Sequence, residues 1–294
     1  MKTYSRNDVL VALREVGVKK GDTVFFTARM FVVGRLEGVG NQEAFNAAHL
    51  ACLQEAVGPK GTLVVPTYTQ QVGRFGEAYH HETTPTMAGM FSEYVRTRPG
   101  AVRSFHPVFS LTALGPKAEA ICGRVGTSAF GARSAYDNLF QLGGKQLCLG
   151  FSYESGHIVT GAHHVEHTYG VPYYYNKILK APVYRAGVPS DKVFVLNVMY
   201  RHFGLENDYH AYVAEVDRRG FLARAPLGAS TLYASDLRSQ LEVGFDMLSQ
   251  NVYAFLARPP VWEAGTIPFE GVESVSPDHR SPPPNWVGYN IMPG

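Results

Sequence analysis

The sequence predicts an α/β fold containing a parallel strand pair, and three observations carry the prediction. A strand at 23–27 is followed by a long helix at about 41–57 and then by "GPKGTLVVPTYT" (58–69), a turn into a second, fully apolar strand. Strand, helix, strand at this spacing is a βαβ unit with its two strands parallel. The chain has 294 residues, 45% of them hydrophobic, with 17 Phe and 17 Tyr, so a sizeable core can be buried. From 172 to 234 the pattern becomes Tyr-rich and reads as antiparallel strands and loops.

The elements follow in order. Val9, Leu10, Leu13 and Val16 share one helical face, after Ser5 and Asn7, either of which could cap. Gly21-Asp22 turns the chain into the first strand. "MAGMFSEYVRTRPG" (87–100) is an amphipathic helix stopped by Pro99-Gly100. "FSLTALG" (109–115) and "QLCLGFS" (146–152) read as further strands. Residues 157–168 read as a helix that stops before Gly170 and Pro172, and 232–256 as a long closing helix. Residues 1–257 are expected to form one domain, followed by a Pro-rich extension at 258–294. No internal repeat or low-complexity tract is present.

Composition excludes several functions. The net charge of +2, with no basic run interleaved with aromatics, argues against nucleic acid and anionic membranes as partners. No stretch has the 18 or more apolar residues of a membrane span. "MKTYSRNDVL" lacks an apolar signal core, which predicts a cytoplasmic protein. Cys52, Cys122 and Cys148 are far apart and form no C-x-x-C pair, so they read as reduced, buried thiols.

Four of the 11 histidines lie between 157 and 167, and among them stands His163-x-x-Glu166-His167. Three readings of it are open. The H-x-x-E-H spelling matches an inverted zinc peptidase, with both histidines on one helix face and the glutamate as base. That reading needs a third ligand, and no later helix offers an obvious one. The histidines could instead be structural. Or His163 and Glu166, at i and i+3, could form a base and a carboxylate that orients it or holds a cationic amine.

Three further segments could bind ligands. His106-Pro107 puts an imidazole at a strand edge, where a satisfied turn histidine is the plain alternative. Gly131, Arg133 and Ser134 form a small-residue turn that could cradle a phosphate through backbone N–H groups and a guanidinium. The turn is neither a P-loop nor a dinucleotide fingerprint, and a surface loop is its plain alternative. The loop at 25–40 leaves the carboxyl end of a strand, a favoured ligand position, and offers Thr27 and Arg29 to an anion. It could equally be a plain connection.

Taken in order, several segments resemble the aminoglycoside 3-N-acetyltransferase family. They are "GDTVFFTARMFVVGRLEG", "LQEAVGPKGTLVVPTYT", "TPTMAGMFSEYVRTRPGAVRSFHPVFSLTALG" and "FGARSAYDNLFQLGGKQLCLG", with Thr160-x-x-His163-x-x-Glu166 where that family carries its catalytic His and Glu. The likeness runs over nearly all of residues 5–255. It implies a mixed central sheet flanked by helices, with smaller helical and antiparallel-strand additions. It also implies metal-free transfer of an acetyl group from acetyl-CoA to a primary amine of an aminoglycoside or related amino sugar.

On this resemblance His163 is the general base, Glu166 its acidic companion, and His167 incidental. Thr27, Ala28, Arg29, Met30, Phe130, Arg133 and Ser134 are expected on the cofactor, with backbone N–H groups near 27–31 facing the developing oxyanion. His106, Tyr68, Thr160, Glu206 and Asp208 are expected at the substrate. The expected partners are the amine and CoA, and a homo-oligomer is left open. Phe109 stands where the family often has a second histidine, and Phe26-Thr27-Ala28 where it commonly has His-Ser-Ser. "PYYYNKILKAPVYRAG" (172–187) follows no pattern of the family. A non-aminoglycoside amine, a zinc hydrolase, and a binding protein that has lost turnover are the rival readings.

Overall fold

The computed structural model describes residues 2–153, 161–200 and 204–261. The chain runs β1 (Thr3–Tyr4), α1 (Arg6–Glu15), β2 (Thr23–Ala28), β3 (Arg35–Leu36), α2 (Gln42–Val57), β4 (Thr62–Pro66) and α3 (Gln70–Phe75). Next come β5 (Tyr79–His80), α4 (Met90–Arg96), β6 (Val102–Arg103), β7 (Leu111–Leu114), α5 (Ala135–Gln141), β8 (Lys145–Leu149) and α6 (Ala162–Tyr169). Then follow β9 (Tyr174–Ile178), β10 (Val183–Arg185), β11 (Val188–Pro189), β12 (Val195–Met199), α7 (His210–Arg218), β13 (Ala223–Leu227), β14 (Ser230–Asp236) and α8 (Leu237–Gln250).

A seven-stranded mixed sheet, order β13-β14-β8-β2-β4-β7-β6, forms the centre. β2 is parallel to both β4 and β8, with Phe25 opposite Val64 on one side and Gln146 on the other. The strands outside this trio pair antiparallel. The expected βαβ unit is therefore β2-α2-β4.

Period-2 alternation divides the core. Val24 and Phe26 of β2, Leu63 and Val65 of β4, and Leu147 and Leu149 of β8 pack with α1, α2 and α4. Phe25, Val64 and Cys148 belong to the opposite face, with α5, α6, α7 and α8. Both faces of these strands are covered, which explains their unbroken apolar runs. Each core side chain of this kind contributes about 1.5–3 kcal/mol of burial.

Local signals set the helix starts. Ser5 caps α1 in a reciprocal box: Asp8 N–H donates to Ser5 Oγ at 3.2 Å and Ser5 N–H to Asp8 Oδ2 at 2.7 Å. Asn41 Oδ1 accepts Ala44 N–H at 2.8 Å and opens α2.

Two expectations are corrected. The first part of the closing helix is a strand, β14, inserted between β13 and β8 with Leu232 opposite Leu149 and Ala234 opposite Leu147. A short apolar run does not distinguish a strand buried between two neighbours from a helix turn. Within the stretch read as strands and loops, α7 is a helix that buries Tyr212, Val213 and Val216.

The sheet ends on two modest edges. β13 carries Arg224 and Pro226, and β6 is two residues long. The Arg103 guanidinium on β6 donates to Ser110 Oγ and to the carbonyls of His81, Thr84 and Thr67. Smaller sheets, β9 with β12 and β5 with β10 and β11, pack around Tyr79, Phe105, Phe194 and Leu196. Cys52, Cys122 and Cys148 are buried, with no disulfide among the described residues. No helix among the described residues is long and apolar enough to cross a membrane. The helix expected from 157 starts at Ala162, and residues 157–160 lie outside the described residues. The Pro-rich extension lies outside them from 262 onward.

Candidate active site

β2, β4 and β8 are parallel, so their carboxyl ends meet at one edge of the sheet, a common ligand position in α/β folds. Ala28 and Arg29, Tyr68, and Gly150 with Phe151 follow those ends. α6 follows β8 and is fixed to α8 by Val165. The Cβ that Gly244 of α8 lacks would lie 2.4 Å from Val165 Cγ1.

His163 and Glu166 share a face of α6. His163 Nδ1 lies 3.1 Å from Glu166 Oε2, with the imidazole 43% exposed and the carboxylate only 1%. Ring geometry turns Nε2 away from the carboxylate. Glu166 is held further by the hydroxyls of Tyr173, to Oε1 at 2.9 Å, and Tyr209, to Oε2 at 3.0 Å. Tyr174 Oη stands 3.2 Å from His163 Nδ1 and accepts from Asn207 Nδ2 at 3.3 Å. A buried carboxylate needs such donors, because removing its water is costly.

The 130–134 turn rests on the same helix. Gly131 N–H points at His164 Nδ1 at 3.4 Å, and Phe130 stands 6.0 Å from the His163 ring. Gly131 has φ +76°, and a Cβ there would lie 3.0 Å from Cδ2 of His167. His167 thus packs under the turn. Arg133, at φ 64°, gives its N–H to Asp137 Oδ2 at 2.8 Å and exposes its side chain. Ser134 is buried, and its hydroxyl caps α5 by accepting Asp137 N–H at 3.1 Å.

The other predicted cofactor residues divide by exposure. Thr27 is buried, its hydroxyl toward Leu147 O at 3.4 Å, and Met30 is buried as well. Ala28 is half-buried at the end of β2. Arg29 is exposed and its guanidinium lies 4.7 Å over the Phe151 ring. Its N–H is bonded to Leu149 O at 2.9 Å, which removes one of the backbone donors expected for an oxyanion. Phe31, 79% exposed, continues this turn into solvent.

Aromatic contacts connect Tyr68 to the base. Tyr68 and Tyr136 share a hydroxyl hydrogen bond, Tyr68 meets Phe109 edge-on at 5.6 Å, and Phe109 lies 5.2 Å from Phe130. Burial pushes the Tyr68 phenol up to about 12, so it stays neutral. His106 is fully enclosed. Its Nδ1 accepts the N–H groups of Val108 and Phe109, so Nε2 carries the proton and faces Val195 O at 3.3 Å. Burial depresses its pKa to about 4. Thr160 lies outside the described residues. Glu206 is exposed, and Asp208 pairs with His210 Nδ1 at 2.5 Å. Both flank the Asn207 and Tyr209 that reach the site.

Sequence reasoning missed Tyr173, Tyr174, Asn207 and Tyr209. The triple tyrosine at 173–175, in the segment that fits no family pattern, was a local signal for the first two, and Asn207 and Tyr209 had none. Among the described residues no group of three His, Cys, Asp or Glu could hold a metal ion, so the zinc reading finds no third ligand there.

An exposed imidazole backed by a buried carboxylate can take up a proton and have the resulting charge offset. Residues 31–249 match the family model of aminoglycoside 3-N-acetyltransferase, and the chain belongs to that family. It is 29% identical over 188 residues to the aminoglycoside N(3)-acetyltransferase III of a Salmonella species, covering 58% of this chain and 62% of that protein. It is 34% identical over 175 residues to the aminoglycoside N(3)-acetyltransferase VII of Streptomyces paromomycinus, covering 52% and 57%. The chain thus spans less than two thirds of these curated relatives. In fold it is similar to the binary complex of AAC-IIIb with CoASH, with a TM-score of 0.69, 21% identity, and coverage of 88% of this chain and 100% of that one.

Proposed function

We propose that this chain moves an acetyl group from acetyl-CoA to a primary amine of an aminoglycoside or related amino sugar, with His163 as general base. The observation that carries the reading is the 3.1 Å contact of His163 Nδ1 with the buried Glu166 carboxylate. With its proton on Nδ1, the ring presents the Nε2 lone pair outward. Amines of lysine-like basicity are mostly protonated at neutral pH, so a base is needed before or during attack. The positive charge that His163 gains is offset by Glu166, in surroundings where such attraction is strong.

Bound acetyl-CoA would supply the thioester acyl group. Exposed Arg29 and Arg133 suit its phosphates, and Phe31 offers apolar surface beside Arg29. Thr27 and Ser134 serve by holding their turns. The family match at 31–249 supports reading 1–257 as one acetyltransferase domain. Three buried thiols suit a reducing cytoplasm.

The test is release of free CoA from acetyl-CoA in the presence of aminoglycosides, simpler amino sugars and other biosynthetic amines, with and without a chelator. Turnover with one of these amines, unchanged by the chelator, is the expected result. No release with any amine, or one bound zinc per chain with activity lost on chelation, would overturn the reading.

A further inference from the structure

Glu166 takes three donors on two oxygens, and how the protons are shared determines which nitrogen of His163 is basic. Tyr173 Oη donates to Oε1 at 2.9 Å. Tyr209 Oη stands between two neighbours, 3.0 Å from Glu166 Oε2 and 3.1 Å from His163 Nδ1, and it has one proton to give. Burial first, and then the charge of Glu166, push the Tyr173 and Tyr209 phenols upward, so both remain neutral donors. An ionised carboxylate is a stronger acceptor than a neutral imidazole nitrogen, so the Tyr209 proton goes to Oε2. Toward Nδ1 that phenol oxygen then shows only lone pairs, and an Nδ1 that instead accepted from Tyr174 would set its own lone pair beside Oε2 at 3.1 Å, so Nδ1 donates.

In the other arrangement Nδ1 would accept from Tyr209 or Tyr174, the proton would sit on Nε2, and the outward nitrogen would no longer be a base. Oε2 would then lose at least one of its two donors and stand 3.1 Å from the Nδ1 lone pair, which is costly for a buried carboxylate. The phenols are rigidly placed. Tyr173 precedes β9 and is fully buried. Tyr209 is the residue before α7, packed edge-on against Phe255 at 5.7 Å and His163 at 5.9 Å.

We propose that Tyr173 and Tyr209 are positioning residues whose two phenolic protons clamp both oxygens of Glu166, and that the clamped carboxylate fixes His163 with its proton on Nδ1. The kinetic consequence rests on His163 acting as the base. The tautomer itself does not, so the two ideas fail separately.

The experiment is two-bond 1H–15N correlation spectroscopy of the full chain with 15N-labelled histidine, at a pH where the imidazole is neutral. The His163 signals are identified by their loss in His163→Gln. The wild type should show the Nδ1–H pattern, and Tyr209→Phe and Tyr173→Phe, which keep the rings, should each shift it toward Nε2–H. In the same variants kcat should fall roughly 10-fold with the KM for the amine little changed, the effect of one lost hydrogen bond to a charged group. An Nε2–H pattern in the wild type overturns the proposal, as does an unchanged tautomer in both folded variants. If a variant fails to fold, the wild-type spectrum decides alone. A shifted tautomer in a protein that transfers no acetyl group would support the clamp and refute the acetyltransferase reading.

Discussion

Gly131 and His167 are in close packing: a methyl group on Gly131 would stand 3.0 Å from the imidazole Cδ2, at a backbone φ of +76°. The turn proposed to meet CoA is thereby seated on the helix that carries the proposed base. Gly131→Ala adds a left-handed non-glycine residue, about 1–2 kcal/mol of strain, as well as the contact. CoA titrated calorimetrically should bind this variant more weakly, and Arg133→Ala roughly 10-fold more weakly, for a lost charge-assisted hydrogen bond. CoA affinity unchanged in both variants would remove the 130–134 turn from the cofactor site.

His163 and His167 lie on one face of α6 but differ in partners. His163→Ala should lower turnover by roughly 10²–10⁴-fold, the usual range for a general base, with CoA binding kept. His167→Ala should act mainly by loosening the turn, with a much smaller loss. Equal, near-total losses in two folded variants would point back to a pair of metal ligands.

Gly244→Ala tests how α6 is held. In an exposed helix this change would stabilise by up to about 1 kcal/mol. Here the new Cβ would lie 2.4 Å from Val165 Cγ1, and overpacking of about 1–3 kcal/mol should win. The melting temperature should therefore drop. Adding Val165→Ala should cost less than the sum of the two single changes, because the shorter side chain makes room. Strict additivity in denaturant unfolding would show that the contact is not the cause.

His106 and His164 give acid sensitivity a sign. Burial depresses both to about 4, against about 6.5 for a free imidazole. Between those values the unfolded chain takes up protons that the folded chain refuses, so stability falls as pH drops from about 6.5 and levels off below about 4. Each group accounts for on the order of 3 kcal/mol across that window. His106→Asn keeps an acceptor near Nδ1 and should flatten the decline measured by urea unfolding between neutrality and about pH 5. An equal decline in the variant would remove His106 as a contributor.

The βαβ unit was legible because a long helix and an unbroken apolar strand meet at "GPKG", and His163 with Glu166 because i, i+3 spacing needs no tertiary knowledge. β14 was not legible, since its apolar run is the same whether it winds into α8 or lies between two strands. The phenols around Glu166 were hidden for a different reason. Tyr173 and Tyr209 are 36 positions apart and come together only because the residue before β9 and the residue before α7 both reach Glu166 on α6. For His106 the sequence left a ligand-facing ring and a satisfied turn histidine both open, and its observed bonds are those of the second: the ring accepts from the backbone of its own turn.

The two margins of the central sheet bear on how copies of this chain can meet. Pro226 removes an N–H from β13, Arg224 on the same strand is engaged with Asp217 at 2.5 Å, and β6 has only two residues, one of them Arg103, whose guanidinium is bonded to Ser110 and three carbonyls. Neither margin offers a long row of open donors and acceptors, so continuation of the sheet from one molecule into the next is disfavoured, and with it the commonest route to fibrous aggregation. With the margins of the central sheet disfavoured, contacts between copies of this chain fall to helical faces, loops or the smaller sheets, where an assembly's geometry can close and its size stay finite.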